Sequence, residues 1–165
     1  MMCATVSQHN EVILTTFIGI DPGSKGAFCK MFHGEIEVFD MPATMAEVHE
    51  LLTAWTTLHD VAAIALEQVT ILPRDSKRSG ATFMRHVGAL ECLCELTGRP
   101  LLRPTPQQWG KGLLRSKTHA RDKPSVEVVK RMYPQVDLAG LRGGIKDGRA
   151  DAVLIALWAS KQWGL

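Results

Sequence analysis

A chain of 165 residues has the length of one domain and can bury a core, and its 45% hydrophobic and 22% charged content is ordinary for a globular protein. No apolar run approaches the roughly 20 residues that a membrane-spanning helix needs. The net charge of +2 hides an asymmetry: residues 1–69 carry two basic against nine acidic side chains, a net −7, and residues 70–165 carry 17 against eight, a net +9. Such a division suggests a polyanionic partner that meets the second half, the plainer alternative being a solvated basic face.

Residues 1–15 read as a flexible N-terminal extension and 16–165 as a single domain. The first 16 residues lack a basic n-region and a long apolar stretch, so they do not read as a secretory signal, and Glu11 without any Arg argues against a transit peptide. Thr16 to Ile20 is a short apolar run ending at Asp21-Pro22-Gly23-Ser24, the pattern of a buried strand entering a turn. Gly26 to Phe32 and Glu35 to Phe39 read as two strands of a hairpin closed at His33-Gly34. Met45 to Leu58 has helical spacing, with Met45, Val48, Leu51, Leu52 and Trp55 on one face. Val61 to Leu66 is a continuous apolar run, as in a central strand covered on both sides.

Ser79 to Leu96 is predicted helical, with an apolar stripe of Phe83, Val87, Leu90 and Cys94, and stops at Gly98 before Pro100. Leu101 to Arg103 is a short strand. Pro106 to Leu113 and Lys123 to Met132 are short helices flanking a basic loop from Arg115 to Asp122, and Gly148 to Trp163 is a closing apolar helix. An early hairpin followed by strands that return through helices predicts an α/β fold with a mixed five-stranded sheet flanked by helices. Cys3, Cys29, Cys92 and Cys94 form no CxxC pair and have no His at zinc spacing, so they read as free thiols.

Three acids stand where acids are costly. Asp21 and Glu67 each follow an apolar strand, and Asp151 lies among small and apolar residues of the closing helix. Carboxylates ending neighbouring strands repel unless a cation lies between them, and hard divalent ions take such oxygen ligands. Asp147, four residues before Asp151, projects from the same helical face. Singly, each acid has a structural reading: Asp21 as a turn cap, Asp147 as a helix N-terminal acid favoured by the dipole. Together the four form a candidate metal site, and a pair of ions about 3.5–4 Å apart can activate water and stabilise the leaving oxygen of a phosphodiester. Arg74, Lys77, Arg78, Arg115, Lys117, His119 and Arg121 fall in predicted loops suited to phosphate contacts.

Ile18-Gly19-Ile20-Asp21-Pro22-Gly23-Ser24 is similar to the opening strand motif of RuvC-type resolvases. Ala65-Leu66-Glu67-Gln68-Val69 resembles that family's second acidic motif, and Ala150-Asp151-Ala152-Val153-Leu154-Ile155-Ala156 its closing helix. The likeness runs from about Thr16 to Trp158, with the motifs in the family's order and spacing. It implies an RNase H-like fold and a Mg²⁺-dependent endonuclease, Mn²⁺ substituting, with two ions per site. It further implies a homodimer through helix 79–96 that nicks four-way (Holliday) junction DNA symmetrically, in recombination and repair. The resemblance assigns metal roles to Asp21, Glu67 and Asp151.

The bacterial pattern has its fourth acid three residues before the last, where this chain has Gly148; Asp147 is the substitute, in a KDGRA run similar to that of the organellar branch. Many bacterial members carry a base-stacking aromatic where this chain has Thr70-Ile71-Leu72-Pro73; Phe83 is a candidate replacement whose helical spacing favours a core or dimer role. Lys111 and Lys123 match family lysines that face the scissile region, and Lys123 is expected to stabilise charge on the phosphorane or orient the attacking water. A bacterial or phage origin would place the chain in the cytoplasm or nucleoid, a eukaryotic one in an organellar matrix or stroma. The residues give no reading of a helicase partner. Competing readings are a nuclease of other branched DNA or of RNA, a non-catalytic junction-binding protein, and a small-molecule phosphotransferase suggested by the DPGSKG loop. The last lacks room for its usual second domain.

Overall fold

The strand Thr16–Asp21 (β1) is the centre of the molecule. A computed structural model of the chain describes residues 15–70, 76–114, 123–140 and 143–163, with Lys77 described by its backbone alone. β1 pairs antiparallel with Ala27–Phe32 (β2), which pairs antiparallel with Glu35–Asp40 (β3). On its other side β1 pairs parallel with Val61–Leu66 (β4), and β4 pairs parallel with Leu101–Leu102 (β5). The five-stranded order is β3-β2-β1-β4-β5, the mixed sheet that the order of elements predicts.

Local chemistry explains the boundaries. His33 and Gly34 both have positive φ, 49° and 81°, the combination that lets a two-residue hairpin follow the twist of its strands. The helix Met45–Leu58 (α1) opens on a capping box in which Thr44 and Glu47 satisfy each other's backbone amides. The helix Lys77–Leu96 (α2) is capped by Ser76, and Gly98 follows its end at φ 70°. The helix Pro106–Gly110 (α3) ends three residues earlier than the spacing predicts, the chain turning at 111–114 with Gly112 at φ 78°. Pro124–Met132 (α4) and Asp147–Gln162 (α5) complete the fold. Among the described residues no helix is long and apolar enough to cross a membrane. The expected extension (1–15) lies outside them except for Thr15, and so does the basic loop 115–122.

Each strand sorts its side chains by the two-residue period of the pleat. Ile18 and Ile20 of β1, Phe28 of β2 and Ile64 and Leu66 of β4 face one layer, packed with Val48, Leu52 and Trp55 of α1 and Leu90 and Cys94 of α2. The other face carries Phe17, Ala27, Cys29, Met31, Ala63 and Ala65 against α4 and the small and apolar side chains of α5. α5 packs close on this second face. A Cβ at Gly19 would stand 2.2 Å from the Ala152 carbonyl oxygen and 2.4 Å from the Ala156 nitrogen.

The apolar stripe of α2 is used within the chain. Leu90 and Cys94 lie in the first layer and Val87 is buried, whereas Phe83 belongs to neither hydrophobic cluster. Of the core or dimer role expected of Phe83, the core half is corrected: the residue is half-buried and lines a cavity at the N-terminal end of α2.

Replacing Gly19 with Ala sets a methyl group against backbone that no rotamer change can clear. Gly19→Ala is expected to cost about 3 kcal/mol or more, lowering Tm by roughly 6–12 °C in a thermal melt followed by circular dichroism.

Candidate active site

Alternation along the strands decides where the acids point. Residues 17, 19 and 21 of β1 share the face covered by α5, as do 63 and 65 of β4. Glu67 continues that row just past β4, where its N–H donates to the Ile20 carbonyl at 3.1 Å. Asp21 and Glu67 thus emerge side by side at the carboxyl ends of two parallel neighbours, beneath the first turns of α5. Asp151 faces them from that helix.

Each carboxylate is held by a named donor. The Gly23 N–H donates to Asp21 Oδ1 at 3.1 Å, so Asp21 does cap its turn while remaining in the cluster. The Trp109 Nε1–H donates to Glu67 Oε1 at 3.1 Å, and Ser125 hydrogen-bonds Asp151. Sequence reasoning missed Trp109 and Ser125. The available signals were a Trp that needs a partner for its N–H when buried, and a hydroxyl two residues after Lys123.

The electrostatics are those of crowded, half-desolvated acids. Burial, then the neighbouring Asp21 charge, pushes Glu67 up to about 7. Burial is also the largest cause for Asp151, pushed up to about 6 with Asp21 adding to it. Asp21 itself is raised by burial, against the lowering effect of the Gly23 N–H. Lys123, at the N-terminus of α4, is the cation that favours ionisation of all three. It pairs directly with Asp147, whose carboxyl is thereby held below the usual range. Asp21, Gly23, Lys123, Asp147 and Asp151 line a cleft of about 260 Å³.

Gly148 is tightly enclosed. A Cβ there would lie 2.4 Å from the Lys25 carbonyl and 2.9 Å from Asp21 Oδ2. The position three residues before Asp151 is closed to any side chain, and the carboxylate nearest to it on this turn is Asp147, paired with Lys123. Arg149 fixes this turn of α5: its Nε donates to Asp40 Oδ1 at 2.7 Å and its Nη1 to the carbonyls of Asp137 and Ala139 at 3.1 and 2.9 Å.

Among the described residues, no three His, Cys, Asp or Glu side chains are gathered closely enough to hold a metal ion as they stand. Mutually repelling carboxylates are expected to stand apart when no cation lies between them. The donor chemistry fits a hard divalent ion: Asp21, Glu67 and Asp151 offer partly desolvated oxygen ligands, and the Asp21 charge raises the pKa of both Glu67 and Asp151. Of the candidate DNA-binding residues, Lys123 lines the cleft, Lys111 is exposed after α3 and Arg78 is exposed on the first turn of α2. Lys77 begins α2, and Arg74, Arg115, Lys117, His119 and Arg121 lie outside the described residues. The free thiols Cys29 and Cys94 are buried and Cys92 is exposed.

No protein-family model matches the sequence, and no curated protein sequence matches it. Solved structures do match. RuvC of Thermus thermophilus, in complex with a Holliday junction substrate, superposes with a TM-score of 0.59 at 16% identity, covering 91% of this chain and 96% of that one. A second structure of T. thermophilus RuvC gives 0.57 at 17% identity over 90% and 96%. The yeast mitochondrial Holliday junction resolvase Ydc2 gives 0.50 at 17% over 92% and 81%. The chain has the RuvC-type, RNase H-like fold. In that fold the acids predicted from three separate motifs stand on one face of the sheet, at one end of it.

A carboxyl whose pKa rises on folding favours the fold while it is protonated, and that contribution is lost as pH climbs through the folded value. The metal-free chain is therefore expected to lose thermal stability as pH rises from about 4.5, the ordinary value for Glu67, through about 7. Glu67→Gln should flatten that decline. Mg²⁺ should restore stability above about 7, where Glu67 is ionised, and far less below about 6, where Asp151 is protonated too. Melting curves across pH, with and without Mg²⁺, check all three.

Proposed function

We propose that this chain is a divalent-metal-dependent endonuclease that resolves four-way DNA junctions by paired nicks. The observation that carries the reading is the convergence of half-desolvated acids from β1, the end of β4 and α5: Asp21 and Asp151 line one cleft, and Glu67 stands close enough that both of their charges raise its pKa. The matched structures, a RuvC bound to a Holliday junction substrate and a mitochondrial Holliday junction resolvase, support the choice of substrate class. The net +9 of residues 70–165 suits a polyanion.

Asp21, Glu67 and Asp151 would hold Mg²⁺ or Mn²⁺, with Asp147 as candidate fourth ligand; the ions would supply an activated water and stabilise the leaving oxygen. The remaining residues act from the chain itself. Lys123, with its side chain 64% exposed, places an ammonium group at the rim, where it offsets charge developing on the phosphoryl oxygens. Asp147 holds that ammonium in place. Trp109 and Ser125 orient Glu67 and Asp151 and limit their rotation. Lys111 and Arg78, both exposed, would contact phosphates of the DNA.

Two coordinated nicks require two active sites, which a two-fold dimer presents to opposing strands. The face of α2 left open within the chain is Ala81, Met84, Gly88 and Cys92, all exposed, with open space around Gly88. This stripe, not the buried Val87, Leu90 and Cys94, is the surface proposed to pair with its twin.

The decisive assay compares wild type with Asp21→Asn and Asp151→Asn on a mobile four-way junction, a duplex and a splayed arm, with and without Mg²⁺. Wild type with Mg²⁺ is expected to give paired symmetric nicks in the junction. Each variant should lose roughly 10²-fold or more of the rate, the scale of losing one charge-stabilising group, while still binding. Equal cutting of splayed arms would refute the four-way preference, and junction binding without any cutting would make the chain a binding protein. Sedimentation should show a dimer that Met84→Glu or Gly88→Arg separates into folded monomers; a monomeric wild type would sink the α2 pairing.

A further inference from the structure

The division of charge along the chain conceals one cation. Residues 1–69 carry only two basic side chains, Lys25 and Lys30, so the halves taken whole assign the polyanion to residues 70–165. The two lysines have different surroundings. Lys30 is buried on β2, its ammonium 2.9 Å from Glu37 Oε1 and 3.1 Å from His59 Nε2. Lys25 is exposed and lines the cleft that holds Asp21, Lys123, Asp147 and Asp151.

The main chain at Lys25 is held from two sides. The Gly26 N–H donates to the Gly23 carbonyl at 2.8 Å, and the Met41 N–H donates to the Gly26 carbonyl at 3.0 Å. A Cβ at Gly26 would stand 2.1 Å from the Asp21 carbonyl oxygen, so this turn packs directly on the end of β1. On the other side the Lys25 carbonyl lies against Gly148, in the first turn of α5. A residue wedged between the elements that bear Asp21 and Asp151 keeps its place relative to both. Contacts made from such a position lose less entropy on binding than contacts made from a mobile loop.

The two lysines that line the cleft are not equivalent. The Lys123 ammonium pairs with Asp147, so its charge is already matched by a carboxylate. Among the described residues, no carboxylate pairs with Lys25. A strand of DNA entering this cleft meets the negative field of Asp21, Asp147 and Asp151. An unmatched ammonium at the rim lowers that barrier and gives a phosphate oxygen a partner in a set place. Lysine suits the task, since its compact charge carries three donors on a flexible stem and demands no single geometry.

We propose that Lys25 binds a backbone phosphate of the DNA strand lying in the acid cleft, as a second substrate-contacting cation beside Lys123. The inference rests on the DNA substrate proposed above and adds to it a residue from the acidic half of the chain. A phosphate contact carries no base information, so Lys25 acts on affinity and strand placement and not on sequence preference. Its wedged backbone ties that phosphate to the frame that positions the carboxylates.

The test is the salt dependence of DNA binding without divalent metal. Dissociation constants of wild type, Lys25→Ala and Lys25→Arg are measured on a four-way junction and a plain duplex between about 50 and 200 mM salt. Each phosphate contact adds about 0.9 to the slope of log affinity against log salt. Lys25→Ala should lower the slope by about that amount per protomer on both DNAs, with circular dichroism unchanged, and Lys25→Arg should keep it. Lys161→Ala, which removes an exposed lysine about 21 Å along α5 from Asp147, should leave the slope unaltered. With Mg²⁺ and enzyme in excess over junction, Lys25→Ala should slow the cut about tenfold or more, because the strand is misplaced. An unchanged slope in Lys25→Ala, a slope that Lys25→Arg loses as fully, or a cut that is not slowed would overturn the proposal. A lowered slope in a protein whose wild type never cuts would leave the phosphate contact standing and remove the nuclease reading; cutting with an unchanged slope would do the reverse.

Discussion

The rest of the structure depends on the contact between β1 and α5. It is a backbone-to-backbone approach, made possible because residue 19 has no side chain and because α5 presents Ala152 and Ala156 to it. The central strand and the longest buried helix of the second layer are thereby held at a separation that no larger residue would allow. Asp21 lies two residues from this contact along the strand, and Asp151 one residue before Ala152 along the helix. The geometry of the acid cluster is thus a by-product of tight packing nearby.

That placement has an electrostatic cost which the chain only partly offsets. Trp109, Ser125 and the Gly23 amide satisfy one oxygen or another, and Lys123 contributes a single positive charge, shared with Asp147. Three acids so arranged remain harder to ionise than free carboxyls. A fold whose stability alone was at stake would have little use for them there, since apolar replacements of similar volume are often as stable. A positive charge placed among them would relieve the same frustration.

Short-range chemistry made much of this readable from the residues. The hairpin at His33-Gly34, the α1 boundaries with their Thr44–Glu47 box, and the strands ending at Asp21 and Glu67 all follow from neighbours in the chain. The pleat period then places both acids on one face without any knowledge of the third dimension. What escaped depends on partners distant in sequence. Trp109 meets Glu67 across 42 positions, and Gly148 is closed by the turn near Lys25. Phe83 shows the limit of periodicity: it keeps the spacing of the apolar stripe, yet it borders a cavity while Leu90 and Cys94 reach the sheet layer.

The Arg149 clamp has a consequence for where this chain tolerates changes of length. Its guanidinium ties the first turn of α5 to the last residue of β3 and to the carbonyls of the preceding loop, at a point between Asp147 and Asp151. An α-helix turns by about 100° per residue, so one residue gained or lost between 149 and 151 would swing Asp151 away from the cleft while the clamp held the helix start in place. Residues gained in the turn around Gly143, before the clamp, would be absorbed without rotating anything downstream. Arg149 thus acts as an index mark: it sets the angular zero from which the carboxylates of the helix take their bearing.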